Sequence, residues 1–335
     1  MPEGLKQDLL SLNSPGANEL HRAALAANAL AELYAQTVQD LLAQADKCGI
    51  PKQDIRAIGA HGQTVRHQPQ AYGGPGYTLQ LNNPALLAEL TSLDVVADFR
   101  TADLAAGGQG APLVPGFHAA LWARQDVDTA VLNIGGISNL TLLPAQGAVS
   151  GFDCGPGNAL MDHWCQRHTG QAYDANGAWA AGGQILPDLL ARLLDEPFFM
   201  QKPPKSTGRD LFNPSWLEAR LLQEPKRPQD VQATLTALTA QVCASQLRRH
   251  LPGADELLVC GGGALNAELM RQLQAALPSV RVLPSDERGL PALQVEASAF
   301  AWLAWCWFER RPASLTEVTG ARAARVLGAL YPATP

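Results

Sequence analysis

The sequence contains no long hydrophobic run, although 47% of its residues are apolar. A helix that crosses a membrane needs about 18 or more consecutive apolar residues. The most apolar stretch, Ala297–Phe308, is shorter than that and is followed by the charged residues Glu309, Arg310 and Arg311. The first residues also lack the basic segment and apolar run of a secretory signal. We therefore expect a cytoplasmic protein without a membrane partner.

Clusters of positive charge and paired cysteine motifs are missing as well. The chain has 25 lysines and arginines against 31 aspartates and glutamates, and no basic run that would suit a phosphate backbone. We therefore expect no nucleic-acid partner. The 6 cysteines are scattered without CxxC spacing. This pattern argues against a zinc site or a disulfide framework and favours reduced thiols.

What the chain does contain is an alternation of strand and helix patterns, which is typical of an α/β fold. Its 335 residues correspond to roughly two domains. The strand patterns Thr129–Ile134 and Ile137–Leu143 predict a hairpin that opens the second domain, and a long polar helix is predicted near Val231–Leu251. We predict a first domain over residues 1–126 and a second over 127–335, whose C-terminal segment can pack back on the first.

Two glycine turns follow predicted strands. Gly135-Gly136 connects the strands of the hairpin, and Gly261-Gly262-Gly263 follows the strand Glu256–Cys260 and leads toward a helix from about Asn266. Glycines let a backbone approach a ligand closely and turn its amides toward an anion, and a helix N-terminus also attracts anions. The spacing matches neither a P-loop nor a dinucleotide-binding motif. Each turn is therefore either an anion site or merely a tight turn.

Asp153 is the first carboxylate that the pattern singles out. It stands at the end of an apolar strand, before the turn Gly155-Pro156-Gly157-Asn158. Ligands of open α/β sheets bind just outside the carboxyl ends of strands, so Asp153 is a candidate general base. The alternative is a carboxylate that caps the following turn through backbone amides. Asp162, in the helix after that turn, is more typical of a solvated or capping carboxylate and is given no role.

Glu296 is the second carboxylate of interest. It carries the only charge in the helical pattern Leu293–Leu303. Because burying a carboxylate without partners is costly, we expect Glu296 to face a polar cavity. A favourable charge near a helix N-terminus is the equally weighted alternative.

Three polar segments complete the candidates. His61 directly follows a predicted strand and precedes Gly62. Arg100 follows Asp98 at another strand end, and a mutual salt bridge is the alternative interpretation of that pair. The loop Lys205–Arg209 could contact an anion, although most such loops are solvated surface.

Six sequence blocks stand in a fixed order over nearly the whole chain. They are Ile58–Thr64, Val96–Arg100 with Ala106–Leu113, Leu132–Asn139, Gly151–Asn158, Pro204–Arg209 and Cys260–Gly263. In sequence and in order they resemble the anhydro-N-acetylmuramic acid kinases, enzymes of the sugar kinase, actin and heat-shock ATPase superfamily. Six ordered blocks are far more specific than any one of them.

The resemblance implies an actin-like (ribonuclease H-like) ATPase fold of two domains, with the nucleotide in the interdomain cleft. It implies a kinase that uses ATP and Mg²⁺ to open 1,6-anhydro-N-acetylmuramic acid by hydrolysis and to phosphorylate O6. The product would be N-acetylmuramic acid 6-phosphate, an intermediate of peptidoglycan recycling. A homodimer is also implied.

The resemblance assigns roles residue by residue. Asp153 matches the catalytic aspartate of the family. Nucleotide binding falls to the second phosphate loop and the adenosine loop, which are matched by Asn133, Gly135, Gly136, Asn139, Gly261, Gly262 and Gly263. Sugar binding falls to His61, Thr64, Arg100 and Glu296. No metal ligands are implied by the matching blocks.

One segment of the family pattern is missing from this sequence. The family begins with a strand and a Gly-Thr-Ser-x-Asp-Gly-x-Asp loop, the first phosphate loop, and no such segment is present. We therefore expect a first domain that is incomplete at its N-terminus. A non-catalytic sugar-binding or regulatory relative is the alternative function. A superfamily kinase that acts on an ordinary hexose is a third.

Overall fold

A computed structural model describes residues 1–221 and 226–333 of the chain. It contains both helices and mixed sheets, which confirms the α/β class. Within the described residues, no helix combines the length and apolarity that crossing a membrane requires.

The described residues form thirteen α-helices and ten strands. The helices are α1 (Glu3–Ser11), α2 (Glu19–Lys47), α3 (Pro84–Thr91), α4 (Thr101–Ala105), α5 (Val114–Trp122), α6 (Ala159–Thr169), α7 (Ala178–Ala181), α8 (Pro187–Leu194), α9 (Pro214–Leu221), α10 (Pro228–His250), α11 (Ala267–Ala276), α12 (Val295–Phe308) and α13 (Thr316–Thr319). The strands are β1 (Ile58–Ala60), β2 (Gln63–Pro69), β3 (Gly76–Leu81), β4 (Val95–Ala97), β5 (Thr129–Ile134), β6 (Ile137–Leu143), β7 (Ser150–Pro156), β8 (Glu256–Cys260), β9 (Arg281–Pro284) and β10 (Ala329–Tyr331).

The chain divides into two compact units. The first unit comprises Met1–Phe117 together with the chain from Ala297 onward, and the second comprises His118–Glu296. These units reflect internal contacts, and the functional division predicted between residues 126 and 127 stays a prediction.

The first unit contains a three-stranded sheet in the order β1-β4-β10 and the separate hairpin β2-β3. Strands β1 and β4 are parallel, with Ala60 opposite Ala97. His61 and Asp98 therefore leave the sheet side by side, because each is the residue that follows its strand. The core beneath this sheet edge is apolar and includes Phe99, Phe300 and Leu303.

The second unit is built on a five-stranded sheet in the order β7-β6-β5-β8-β9. The three strands β5, β6 and β7 are antiparallel to one another in turn, whereas β5, β8 and β9 are parallel. The hairpin β5-β6 has the predicted limits, so that prediction is confirmed. Alternate residues of these strands, such as Leu132, Leu140 and Phe152, belong to one apolar core.

Helix α10 corresponds to the long polar helix predicted near Val231–Leu251, and most of it is buried. Fifteen of its residues are buried, among them Gln232, Thr234 and Thr236. The hydroxyls of Thr234 and Thr236 donate to the backbone carbonyls of Asp230 and Gln232, four residues earlier. Because these hydroxyls find partners inside their own helix, they can be buried at little cost. Their pattern in the sequence could not distinguish this central helix from a surface one.

Candidate active site

A row of polar side chains crosses four strands of the second unit. In the sheet register, Asp153 of β7 lies opposite Asn139 of β6, which lies opposite Asn133 of β5, which lies opposite Cys260 of β8. Residues that are direct partners across strands present their side chains on the same face. The thiol Sγ of Cys260 lies 3.8 Å from Asn133 Oδ1. The structure therefore brings three of the predicted residues, Asp153, Asn139 and Asn133, onto one face.

Asp153 forms hydrogen bonds with the loop that follows the short segment Pro197–Met200. The amide of Thr207 donates to Asp153 Oδ2 at 2.9 Å, and the Asp153 amide donates to Lys205 O at 3.2 Å. Burial raises the pKa of Asp153 to about 6, although the Thr207 hydrogen bond and the Lys205 charge both lower it. Among the described residues, the amide bound by this carboxylate comes from a distant loop and not from the turn after β7. The turn-capping interpretation is therefore wrong.

Lys205 is a buried cation next to this carboxylate. Its Nζ donates to Phe198 O at 3.2 Å and lies 4.7 Å from the centroid of the Phe198 ring. Burial lowers the pKa of Lys205. The loop that begins at Lys205 is thus packed against the sheet at this end, and the interpretation as solvated surface does not hold for Lys205.

The turn Gly135-Gly136 is fixed through its carbonyl groups. Asn158 N donates to Gly135 O at 2.7 Å, and the amides of Gly157 and Ala159 donate to Gly136 O at 3.0 and 3.2 Å. The start of α6 is therefore bound to the turn. Within residues 1–221 and 226–333, the amides of Gly135 and Gly136 donate no hydrogen bond. Those two amides are available to an anion.

The second glycine turn packs directly against the first. Gly261 has φ 76°, a conformation that favours glycine. A Cβ on Gly263 would lie 2.4 Å from Cγ2 of Ile134, the residue before Gly135. The glycines are therefore required for the close approach of the ends of β8 and β5.

The helix after this turn begins where it was predicted, at about Asn266. A 3₁₀ segment, Gly262–Leu265, separates the turn from α11, which begins at Ala267. The Asn266 side chain accepts a hydrogen bond from Leu269 N and caps α11. The helix N-terminus is consequently not the anion site that the sequence suggested at these glycines.

A cavity of about 310 Å³ lies beside the two turns. Only Gly262 of its lining was predicted as a site residue. The lining consists of Asn158, Met161, Asp162, Tyr173, Asp174, Asn176, Gly262, Leu265, Asn266 and Leu293. Tyr173, Leu265 and Leu293 are each more than half exposed, so they give the cavity an apolar rim that suits a planar ring.

Asp162 is one of the functional candidates that the sequence interpretation missed. It lines the cavity, and burial raises its pKa to about 6, with Arg209 lowering and Asp174 raising that value. Asp174 itself is buried and accepts hydrogen bonds from the amides of Trp179 and Ala180, both at 2.9 Å. The interpretation of Asp162 as a solvated carboxylate is therefore wrong. No motif marks these positions, because a helix and a separate loop supply them.

Glu296 is exposed, and the expectation that it faces a polar cavity stays a prediction. It lies in the first turn of α12, where a negative charge is favourable, and it is not part of the described cavity lining. Burial together with the Glu296 charge raises the pKa of Cys260 to about 12. Glu296 therefore lies near the end of β8, and its sugar-binding role stays a prediction.

The first unit gathers its predicted residues at the ends of β1 and β4. Arg100 Nε donates to His61 Nε2 at 3.0 Å, and His61 Nδ1 lies 2.6 Å from Gly62 O. Because a carbonyl oxygen only accepts, Nδ1 carries the proton and Nε2 is the acceptor. Burial and the Arg100 charge lower the pKa of His61 to about 4. Nearby on β2, Thr64 Oγ1 accepts from Gln80 Nε2 at 3.2 Å.

The contacts of Asp98 and Arg100 differ from the mutual salt bridge considered above. Asp98 Oδ1 accepts from the amide and the hydroxyl of Thr101, at 3.2 and 2.6 Å. Arg100 Nη1 donates to Gly110 O at 2.7 Å. Asp98 thus caps the start of α4, while Arg100 contacts His61 and the carbonyl group of Gly110.

The described residues contain no group of three or more His, Cys, Asp or Glu side chains arranged to hold a metal ion. Mg²⁺ in phosphoryl-transfer enzymes is usually bound by one or two carboxylates together with substrate phosphates. The site therefore fits a magnesium ion that is bound mainly through the substrate phosphates, and we assign no protein ligands to it.

The sequence model of the anhydro-N-acetylmuramic acid kinases matches this chain over residues 1–333. The chain belongs to this family. The match spans both units, and it confirms the resemblance that the six blocks indicated.

Individual relatives agree with the family assignment. The chain is 61% identical to the anhydro-N-acetylmuramic acid kinase of Variovorax paradoxus, with 99% of this chain and 89% of the relative aligned. It is 59% identical to that of Bordetella pertussis, over 99% and 87% of the two chains, and 55% identical to that of Ralstonia nicotianae, over 99% and 88%. All three carry the name of the same kinase.

A solved structure shows a much weaker similarity. The activator of 2-hydroxyisocaproyl-CoA dehydratase from Clostridium difficile, solved with bound ADPNP, aligns with a TM-score of 0.38 and 14% identity over 81% of this chain and 83% of the other. A similarity of this size supports no conclusion about fold or function.

Proposed function

We propose that this protein is an ATP-dependent kinase that opens 1,6-anhydro-N-acetylmuramic acid with water and phosphorylates the released O6. The observation that carries the proposal is Asp153, a carboxylate with a pKa near 6. It lies on the same sheet face as Asn133 and Asn139, in the sheet whose strands β5 and β8 lead into the two glycine turns. A general base works best when its pKa lies near the operating pH. Asp153 would be ionised at neutral pH and still basic enough to accept a proton.

The chemistry assigned to Asp153 balances as follows. The oxygen of a water molecule bonds to the anomeric carbon C1, one of its protons passes to the Asp153 carboxylate, and the C1–O6 bond breaks. O6 then bonds to the γ-phosphorus of ATP, and the bond to the bridging oxygen breaks to release ADP. The product is N-acetylmuramic acid 6-phosphate, and the proton on Asp153 returns to solvent.

The nucleotide would bind to the second unit. The free amides of Gly135 and Gly136 suit its phosphates, and the rim formed by Tyr173, Leu265 and Leu293 suits its base. Positioning and charge stabilisation supply most of the catalysis in phosphoryl transfer, so a site made of backbone amides is appropriate. Mg²⁺ would bring the positive charge that shields the phosphates.

The proposed sugar ligands are His61, Thr64 and Arg100 of the first unit, and Glu296 of the second. Muramic acid carries a carboxylate, and the planar guanidinium of Arg100 is suited to such a group. His61 is neutral above pH 5 because its pKa is about 4. Both of its ring nitrogens already have partners, so His61 would act by orienting Arg100 toward the sugar. Thr64 adds a hydroxyl of its own.

The proposal is tested by the fate of water oxygen. When the reaction runs in H₂¹⁸O, we expect the earliest product to carry one ¹⁸O at C1 and none on O6 or the phosphate, as measured by mass spectrometry. Asp153→Asn should give no product, whereas Asp188→Asn, an exposed aspartate of α8, should behave like the wild type. An ¹⁸O found in the phosphate, or normal turnover by Asp153→Asn, would rule the mechanism out.

The non-catalytic alternative is not favoured, because relatives of 55–61% identity are named as kinases. The actin-like fold, the role in peptidoglycan recycling, the cytoplasmic location and the homodimer remain part of the proposal. Light scattering coupled to size-exclusion chromatography tests the homodimer.

A further inference from the structure

Arg209 lies against the glycine turn of the second unit. A Cβ built on Gly136 would lie 3.1 Å from Arg209 Nη2 and 3.4 Å from Arg209 Nε. The guanidinium therefore lies close to the backbone of Gly136, and a side chain at position 136 would crowd it. This places a positive charge beside the two amides of Gly135 and Gly136 that donate no hydrogen bond.

The guanidinium itself has no partner within residues 1–221 and 226–333. Other arginines of the unit are engaged: three of them, Arg124, Arg281 and Arg288, pair with the buried Glu256. Arg209 forms neither an ion pair nor a hydrogen bond there, although its charge acts on Asp162. A cation and free amides that converge without an acceptor are the complement of an anion.

The loop that carries Arg209 is anchored on both sides. On one side the amide of Thr207 binds Asp153. On the other, the amides of Leu211 and Phe212 donate to Gly208 O, and Phe212 is buried in the core. The backbone around Arg209 is therefore anchored close to Asp153, the proposed base, and the Arg209 side chain is exposed.

We infer that Arg209 adds a guanidinium to the proposed phosphate loop Gly135-Gly136 and binds a terminal phosphate of the nucleoside triphosphate there. The inference rests on the proposed function. A planar guanidinium can form two parallel hydrogen bonds to one phosphate, and its charge offsets the negative charge that gathers during transfer.

The test measures affinity rather than turnover. The full chain and its variants Arg209→Gln and Arg209→Lys are titrated calorimetrically with ATP and, separately, with adenosine, which carries no phosphate. We expect Arg209→Gln to weaken ATP binding on the order of 10- to 100-fold, because charge-assisted hydrogen bonds are lost. Its affinity for adenosine should equal that of the wild type. Arg209→Lys keeps the charge but not the planar guanidinium. Its ATP affinity should lie between those of the wild type and Arg209→Gln.

Arg248→Gln is the matched control. Arg248 is an exposed arginine of α10 whose Nη1 donates to Ala276 O, so its loss should leave both affinities unchanged. An equal loss of ATP and adenosine binding in Arg209→Gln would show a structural role and overturn the inference. Unchanged ATP binding would overturn it as well. If the wild type bound adenosine but not ATP, or bound neither, the proposed function would be wrong. The inference about Arg209 would then be wrong as well.

Discussion

The protonation state of Asp153 sets the pH range in which the proposed reaction can run. Burial raises the pKa of this carboxyl to about 6, and only the ionised form accepts a proton. We predict that kcat/KM is level above about pH 7 and falls by about tenfold per pH unit below the pKa. Initial rates measured across this range check the prediction. A rate that stays constant down to about pH 4.5 would mean that no such base is used.

Lys205 offers a way to move that profile. Its buried charge lowers the pKa of Asp153, so Lys205→Met should raise that pKa and shift the acid limb of the profile to higher pH. Methionine fills a similar volume, which limits the loss of packing against Phe198.

Lys202→Met is the control for this shift, because Lys202 is exposed three residues earlier. It should leave the acid limb where it is. A variant Lys205→Met with reduced activity but an unmoved limb would show that Lys205 supports the loop without tuning Asp153.

Asp153 was predicted from its place at the end of an apolar strand, whereas the structure places it in the middle of β7 because that strand continues to Pro156. Asn139 and Asn133 were implied by the resemblance to the family, and the sheet register puts them on the same face as Asp153. Asp162 escaped prediction since its burial depends on the separate loop around Asp174. The exposure of Glu296 could not be predicted, because an uncharged neighbourhood in sequence does not determine burial. Its helix turns that position toward solvent.

At the scale of elements, the two ends of β8 differ in chemistry: one holds a buried carboxylate, and the other leads into a glycine turn. Its first residue, Glu256, is buried and its carboxylate lies 3.0 Å from Arg124 and 2.8 Å from Arg281. Its last residue, Cys260, leads into the glycine turn beside Asn133. The charged end pairs with arginines, and the glycine end allows the close approach to Ile134 at the end of β5.

The glycine end provides a steric prediction. A methyl group on Gly263 would collide with Ile134, at 2.4 Å from Cγ2. We expect Gly263→Ala to lower the free energy of unfolding by about 1–3 kcal/mol, as overpacking does, and to weaken ATP binding because the two turns separate. Urea unfolding and calorimetry measure the two effects.

Gly262→Ala is the matched control for that prediction. A Cβ at Gly262 has Asn158 Nδ2 at 3.4 Å as its nearest neighbour, which is an ordinary contact. It should change stability by less than about 1 kcal/mol. Equal destabilisation by both substitutions would mean that the collision with Ile134 does not govern this turn.

At the scale of the whole molecule, the predicted ligands are divided between the two units, and Glu296 is the one sugar-binding candidate in the second. His61, Thr64 and Arg100 lie in the first unit, whereas Asp153 and both glycine turns lie in the second. This division was predictable in outline, because the blocks that carry the two sets are far apart in the sequence. The exact membership of the units was not, since it depends on chain segments that meet only after folding.

The division predicts that binding of the two substrates can be impaired separately. We expect Arg100→Gln to weaken binding of the anhydro sugar on the order of 10- to 100-fold, because a charge-assisted contact to the muramic carboxylate is lost. ATP affinity should remain that of the wild type, and it also reports that the second unit is folded. Arg56→Gln is the control, since Arg56 is an exposed arginine of the first unit that stacks on Phe308 and should bind both ligands normally. If Arg100→Gln lost ATP and sugar binding together, Arg100 would be a structural residue that holds His61 and Gly110, and the sugar would need another cation.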